Sequence, residues 1–309
     1  MGLSPGRADR TPDLPAQRPD RWRLRRQTLA VGRLPLLMGI VNVTPDSFSD
    51  GGQFVEVGRN GIPSYDHEAA IEHGLRLAEE GADLVDVGGE STRPYAPPVD
   101  AEEELRRVIP VVAALAEKAP VPVSIDTSKA IVAREAVAAG AQAINDVTGL
   151  SGDPGMLPLA AELGVAVCVM HMRGTPRTMQ EAPVYDDVVE DVLAYLRRRR
   201  DALLGAGIDR DRIALDPGIG FGKTPAHNLA LLANAWRFHE LGCPVLIGHS
   251  RKSFIGAVLG DPQADRTPGT IGVALSLARQ GVQILRVHDV RPVRQALLLF
   301  ETTGGLDWT

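Results

Sequence analysis

Short apolar runs alternate with longer amphipathic stretches along most of the chain. The apolar runs are 4–8 residues long, rich in Val, Ile and Leu, and bounded by Gly, Pro or Asp, which predicts buried strands. They fall at 36–43, 83–88, 122–125, 143–147, 165–170, 212–215, 244–247 and 283–287. Stretches of helical periodicity lie between them, at 64–80, 100–118, a segment ending near Gly140, 155–163, 186–204, 225–240, 269–280 and 291–302. Ser64 and Asp100 stand where helix N-caps are expected, and Gly81 stands where a helix would stop. Eight strand–helix repeats imply parallel strands joined by right-handed crossovers. The pattern predicts an α/β fold, a single eight-stranded parallel β/α (TIM) barrel. A doubly wound open sheet is the alternative, but it would not place a polar group after every strand around one mouth. Residues 24–31, a turn at Gly32-Arg33, and residue 34 onward predict a short N-terminal hairpin that plugs the lower end of the barrel.

Ahead of this pattern, residues 1–21 mix Arg, Pro, Asp and Gly with almost no apolar periodicity, which predicts a disordered tail and a barrel domain over 22–309. The arginines at 21, 23, 25 and 26 suggest an anion patch, but a net charge of −6 favours a solvated lead-in and gives no sign of a nucleic-acid partner. No apolar run is long enough to cross a bilayer, and the N-terminus lacks the apolar segment of a secretory signal, so no membrane partner and a cytoplasmic location are expected. Cys168 and Cys243 are too few for a disulfide framework and lie in apolar runs, which predicts buried free thiols.

The chemistry gathers where the strands end. The C-terminal ends of the strands form the active face of a β/α barrel. In order they offer Asn42, Gly88 to Glu90, Asp126, Asn145 with Asp146, His171, Asp216, Ser250 to Lys252, and Arg286 with His288. One polar strand end is usually a helix cap or a loop hydrogen bond. A full ring is costly unless something pairs with it, so it predicts a polar, planar ligand. Asp126, Asn145, Asp216 and Lys252 offer hydrogen-bonding groups of mixed sign, whereas Asn42, Arg93, Arg286 and His288 suit a phosphate or pyrophosphate. Gly220-Phe221-Gly222-Lys223 is not a Walker A loop, because Pro217 stands where its first glycine would be. His171, His249 and His288 stand near three strand ends, as a three-histidine zinc site would require, but His249 reads as a substituted loop position. Ser47 and Ser49 have no evident paired base.

Eight motifs around these ends resemble, in order, those of the dihydropteroate synthase family of pterin-binding enzymes. They begin at the loop Asn42-Val43-Thr44-Pro45-Asp46-Ser47-Phe48-Ser49-Asp50-Gly51-Gly52 and continue with Asp86-Val87-Gly88-Gly89-Glu90-Ser91-Thr92-Arg93-Pro94, Ser124-Ile125-Asp126-Thr127 and Asn145-Asp146-Val147. Met170-His171-Met172, the run Asp216-Pro217-Gly218-Ile219-Gly220-Phe221-Gly222-Lys223, Ser250-Arg251-Lys252-Ser253 and Arg286-Val287-His288-Asp289 complete the set. The departures are few: Tyr95 after Arg93-Pro94, His249 before Ser250, and a longer segment at 53–63.

The resemblance implies condensation of 6-hydroxymethyl-7,8-dihydropterin pyrophosphate with para-aminobenzoate. It implies a pterin held by Asp126, Asn145, Met170, Asp216, Lys252 and Arg286. Pyrophosphate and aminobenzoate would meet Asn42, Phe48, Thr92, Arg93, Pro94, Gly220, Phe221, Ser253, Arg286 and His288. Asn42, Asp50, Lys252, Arg286 and His288 would carry the catalysis, with Mg²⁺ on Asn42. It also implies sensitivity to sulfonamides and a homodimer. A pterin-binding methyltransferase domain would not need the first loop or the Ser250-Arg251-Lys252-Ser253 cluster. A non-catalytic pterin-binding paralogue would have lost residues such as Asn42, Asp50, Lys252 or His288, and all are present.

Overall fold

The computed structural model describes residues 18–44, 55–57, 63–92, 96–175 and 178–307. The chain opens with an antiparallel hairpin, β1 (Arg21–Arg23) and β2 (Thr28–Ala30), followed by the first barrel strand, β3 (Leu36–Asn42). A second hairpin, β4 (Val55–Val57) and β5 (Pro63–Tyr65), lies in the first strand-to-helix connection. The repeats then run α1 (His67–Glu79), β6 (Leu84–Gly88), α2 (Ala101–Lys118), β7 (Val123–Asp126), α3 (Ala130–Ala138), β8 (Ala143–Asp146), α4 (Met156–Leu163), β9 (Ala166–Met170), α5 (Val188–Gly205), β10 (Ile213–Asp216) and α6 (Pro225–Ala233). After these come β11 (Leu246–Ile247), α7 (Ser253–Leu259), α8 (Thr267–Arg279), β12 (Ile284–Val287) and α9 (Val290–Thr302).

The eight strands pair in parallel in the order β10-β9-β8-β7-β6-β3-β12-β11, and a parallel bridge between Leu215 and Val245 closes the ring. The fold is the expected β/α barrel with an N-terminal hairpin. Closure is thinnest at β11, where Pro244 has no N–H to give a ladder and a two-residue strand remains.

Strand side chains alternate between two faces. The outward set, such as Val85, Val87, Ile125, Ile144 and Leu215, packs beneath the helices. The inward set changes character along the barrel axis. At the lower end Leu36, Met38, Leu84, Ala143, Ala166, Cys168, Ala214, Leu246 and Ile284 form an apolar core, and Trp22, Leu24 and Val31 of the N-terminal segment pack into it. Small alanines on three strands leave room for the Trp22 indole, whose Nε1 donates to the Arg212 carbonyl at 3.1 Å. Further up five of the strands, the inward positions become Asp86, Ser124, Asn145, Asp216 and Arg286.

Several local expectations need correction. The hairpin turn lies between Arg23 and Thr28, where Leu24 N donates to Gln27 O at 2.8 Å, and not at Gly32-Arg33. Residues 1–17 of the expected tail lie outside the described residues, whereas Val31 N already bonds Asp20 O at 2.7 Å. The first helix is capped by Asp66, whose carboxylate accepts from Ala69 N at 2.8 Å, while Ser64 belongs to β5. The expected 225–240 helix divides at Asn234, whose amide donates back to Ala230 O at 2.9 Å, a bond that competes with helix continuation. A short 3₁₀ segment, Ala235–Leu241, follows. By contrast, Asp100 caps α2 as expected, accepting from Glu103 N at 2.8 Å.

The plug yields a testable expectation. Trp22→Ala should lower the unfolding free energy by about 3–5 kcal/mol, as for other buried tryptophans. Urea unfolding followed by circular dichroism measures this, and a loss within error of zero would show that the hairpin does not seal the barrel.

Candidate active site

The polar layer is organised by Arg286. Its Nε donates to Asp86 Oδ2 at 2.7 Å and its Nη2 to Asp126 Oδ2 at 2.8 Å. Asp86 is fully buried and also accepts from Ser124 Oγ and, at 2.9 Å, from Asn145 Nδ2. Strand register explains the meeting, because Asp86 lies opposite Ser124 and Asp126 lies opposite both Gly88 and Asn145. Burial opposes the Arg286 charge, but Asp86 and Asp126 outweigh it and hold the guanidinium firmly protonated. Asp126 is pushed upward by burial; Arg286 pulls it down, while Asp86 beside it opposes its ionisation.

Next to this network stands the Asp216 arm. Asp216 is buried and accepts from Gly218 N at 2.7 Å; burial raises it, partly offset by Lys252. The following loop explains the even glycine spacing at 218, 220 and 222, since all three have positive φ. At Gly218 a Cβ would fall 1.9 Å from the His171 carbonyl oxygen, so the tight turn requires glycine. Lys223 fastens this loop from beneath, donating to Gly218 O and Phe221 O, both at 2.9 Å, and meeting His171 Nδ1 at 2.9 Å. Burial lowers Lys223 to about 7 and His171 to about 3, so the His171 ring is a neutral acceptor. Lys252 reaches over the loop to the Ile219 carbonyl and sits 4.5 Å from the Phe221 ring centroid, a cation–π arrangement.

A cavity of about 930 Å³ opens above this layer. Its wall carries the expected Asn42, Thr92, Asp126, Gly220, Phe221, Lys252, Ser253, Arg286 and His288. Asn145, Met170 and Asp216 are not on that wall; they are buried, at 6%, 3% and 6% exposure. Arg286 and Lys252 belong to the wall and bring the deeper charges into register with it. Phe48, Asp50, Arg93 and Pro94 lie outside the described residues, as does Tyr95.

Sequence reasoning left Asp86 without a role, although a carboxylate in the apolar run Leu84-Val85-Asp86-Val87 was itself a signal. It also left out Met179, Gln180 and the segment 262–267, which complete the wall. Gln180 donates to Gly220 O at 2.7 Å. The three histidines do not converge: His171 meets Lys223, His249 Nε2 donates to Thr270 O at 3.0 Å, and His288 meets Ser250 at 3.1 Å. Among the described residues no group of three or more His, Cys, Asp or Glu could hold a metal ion. The single neutral oxygen of Asn42 fits only a hard cation that arrives sharing its other ligands with a substrate and water.

Comparison with known proteins agrees with this arrangement. The family model described as pterin binding enzyme matches residues 38–288. The dihydropteroate synthase of Escherichia coli K12 is 48% identical over 269 residues, 87% of this chain and 92% of its own length. The chain belongs to the dihydropteroate synthase family of pterin-binding enzymes. The family structures superpose closely. A Yersinia pestis dihydropteroate synthase with a sulfonamide drug is 44% identical, with a TM-score of 0.84 over 92% of this chain and 99% of that one. A Xanthomonas albilineans dihydropteroate synthase with 7,8-dihydropteroate is 47% identical, with a TM-score of 0.79 over 92% and 98%.

The electrostatics of the site give a direct check. Burial lowers Lys252 to about 8, while Asp216 pulls it back up. In the ligand-free protein Lys252 should therefore give up its proton as pH rises through about 8, against 10.5 in the unfolded chain. Amine-reactive labelling at Lys252, followed by peptide mass spectrometry against pH, reads this midpoint. Asp216→Asn should move it lower still, and a midpoint near 10.5 in the folded protein would contradict the placement of Lys252.

Proposed function

We propose that this chain joins 6-hydroxymethyl-7,8-dihydropterin pyrophosphate to para-aminobenzoate, giving 7,8-dihydropteroate and pyrophosphate. One observation carries the reading. Asp126 and Lys252 line a single cavity with Arg286, His288 and Asn42, and the buried Asn145 and Asp216 stand next to that lining. A pterin needs the first group, and a departing pyrophosphate needs the second.

The pterin's guanidine-like edge offers two adjacent donors, which suit the Asp216 carboxylate in a paired arrangement. Asp126 and Asn145 complete the ring contacts, and Lys252 donates to the carbonyl side. Met170 forms an apolar floor, and the Arg286 guanidinium, fixed by Asp86 and Asp126, provides a flat cationic wall. The aminobenzoate lies between Phe221, Thr92 and the first two loops, its carboxylate toward Ser253.

The aryl amine is neutral at pH 7 and needs no strong base. Its nitrogen lone pair forms the new bond to the pterin methylene carbon. The carbon–oxygen bond breaks, pyrophosphate leaves with that electron pair, and the nitrogen gives its extra proton to solvent. The barrier lies in separating pyrophosphate, so Asn42, Arg286 and His288 act by holding developing negative charge. Mg²⁺ shared between Asn42 and the substrate phosphates would neutralise part of that charge. Asp50 and Phe48 of the first loop, with Arg93 and Pro94 of the second, would close over the electron-poor carbon.

The reading places the enzyme in the cytoplasm as a homodimer. The free, buried Cys168 and Cys243 suit a reducing compartment. Exposed Val258 and Leu259 on α7 and Leu298 and Leu299 on α9 offer apolar surface for a second copy. No helix among the described residues is long and apolar enough to cross a membrane.

The purified protein should release pyrophosphate only when the pterin pyrophosphate, aminobenzoate and Mg²⁺ are all present, and a sulfonamide should compete with aminobenzoate. Pterin binding without release would reduce the chain to a binding protein, and absence of both would overturn the reading. Asp216→Ala should weaken pterin affinity by about a hundredfold, the cost of losing a paired charge-assisted contact of ~3 kcal/mol. Asp50→Ala should instead lower turnover and leave pterin affinity near that of the wild type. Fluorescence titration with the pterin separates the two outcomes.

A further inference from the structure

The arms of the cavity that follow β11 and β12 are joined by side chains where the backbone ladder has ended. β11 stops at Ile247 and β12 at Val287, yet the segments beyond them remain side by side. Ser250 Oγ accepts from His288 N at 3.2 Å and shares a 3.1 Å hydrogen bond with His288 Nδ1. One residue further along, Arg251 grips Asp289 through both carboxylate oxygens, with Nε to Oδ2 at 2.9 Å and Nη2 to Oδ1 at 2.6 Å. These contacts make two successive rungs, Ser250 to His288 and Arg251 to Asp289, that continue the β11–β12 pairing in side-chain form.

The second rung is bought with backbone strain. Arg251 has φ +56, a conformation that residues with a Cβ rarely adopt. The surroundings enforce it: Arg251 N donates to Thr270 Oγ1 at 3.1 Å, and Arg266 Nη1 donates to Arg251 O at 2.9 Å. A strained residue that its neighbours over-determine points to a positional requirement. Here that requirement concerns the adjacent residues. Arg251 immediately precedes Lys252, which returns to extended backbone at φ −75 and ψ 152 before α7 begins. Asp289 immediately follows His288.

We propose that Arg251 and Asp289 form a positioning pair that sets Lys252 and His288 at a fixed separation across the cavity, and that Arg251, although on the cavity wall, is not itself an anion ligand. The fork to Asp289 commits two of its nitrogens and offsets its charge. Lys252 serves the pterin half of the site and His288 the pyrophosphate half, so the pair couples the halves. The kinetic part of this proposal rests on the transferase reading above; the structural part does not.

A double-mutant cycle of Arg251→Gln and Asp289→Asn tests it. Each single variant should lower kcat at least about fivefold, as for other coupled contacts, with KM for aminobenzoate little changed, and the double variant should be no worse than the poorer single. Arg251→Lys should not restore turnover, because an ammonium cannot fork onto a carboxylate. In the ligand-free protein, hydrogen exchange at the His288 amide should quicken in both single variants. Additive losses of turnover would overturn the pairing. Wild-type turnover in Asp289→Asn beside a crippled Arg251→Gln would make Arg251 a direct ligand. The near-isosteric Asp289→Asn carries the test if Arg251→Gln does not fold. If the wild type itself turned nothing over, the transferase reading would fail, and unchanged exchange at His288 would then reject the pair as well.

Discussion

The site depends on one guanidinium shared between two carboxylates. Arg286 bridges Asp86 on β6 and Asp126 on β7, and Asp86 in turn holds Ser124 and Asn145. Four strands are thereby cross-linked through one buried carboxylate at the level where the barrel changes from apolar to polar. Taking these charges out of water is expensive, and removing one partner from such a set costs about 3–5 kcal/mol because the other is left uncompensated. The network is therefore rigid for an electrostatic reason. It can tolerate a polar ligand above it without rearranging.

The rest of the barrel makes that network affordable. Below it, the inward positions are small or aliphatic and are sealed by Trp22 from the N-terminal hairpin. Around it, the outward strand faces pack against helices in a continuous apolar layer. The polar layer lies between a dry floor and an open cavity, so Asp126, Asp216 and Lys252 are all displaced toward their neutral forms by burial. A ligand that offers each of them a partner relieves that penalty. Binding and ionisation are consequently linked at this face, and the loop fastened by Lys223 keeps Gly220 and Phe221 in place while it happens.

Much of this was legible in the sequence. The short apolar runs located every barrel strand, and the polar residue closing each run located the rim. Capping chemistry worked where a carboxylate precedes a helix, as at Asp100, and failed at Ser64 because Asp66 takes the same role two residues later. The break at Asn234 was invisible to periodicity, since a single side-chain hydrogen bond decides it. The depth of each site residue was also hidden. Nothing in a one-dimensional pattern separates Asp126 on the cavity wall from Asp216 beneath it, because that difference arises from strand stagger and from where Arg286 and Lys252 come to rest. Asp86 was overlooked for a related reason: its partners are 38, 59 and 200 residues away along the chain.

The most direct test of the central claim is kcat/KM for Asp86→Asn in the pyrophosphate-release reaction. Asn has the shape of Asp but cannot accept from Ser124, Asn145 and Arg286 at once. If the shared carboxylate sets the site, kcat/KM should fall on the order of a hundredfold, the ~3 kcal/mol expected when a buried cation loses one of its two carboxylates, although Asp86 is fully buried and off the cavity wall. A value within about twofold of the wild type, less than the ~0.5 kcal/mol that a contact in a network contributes, would show that the site stands without it.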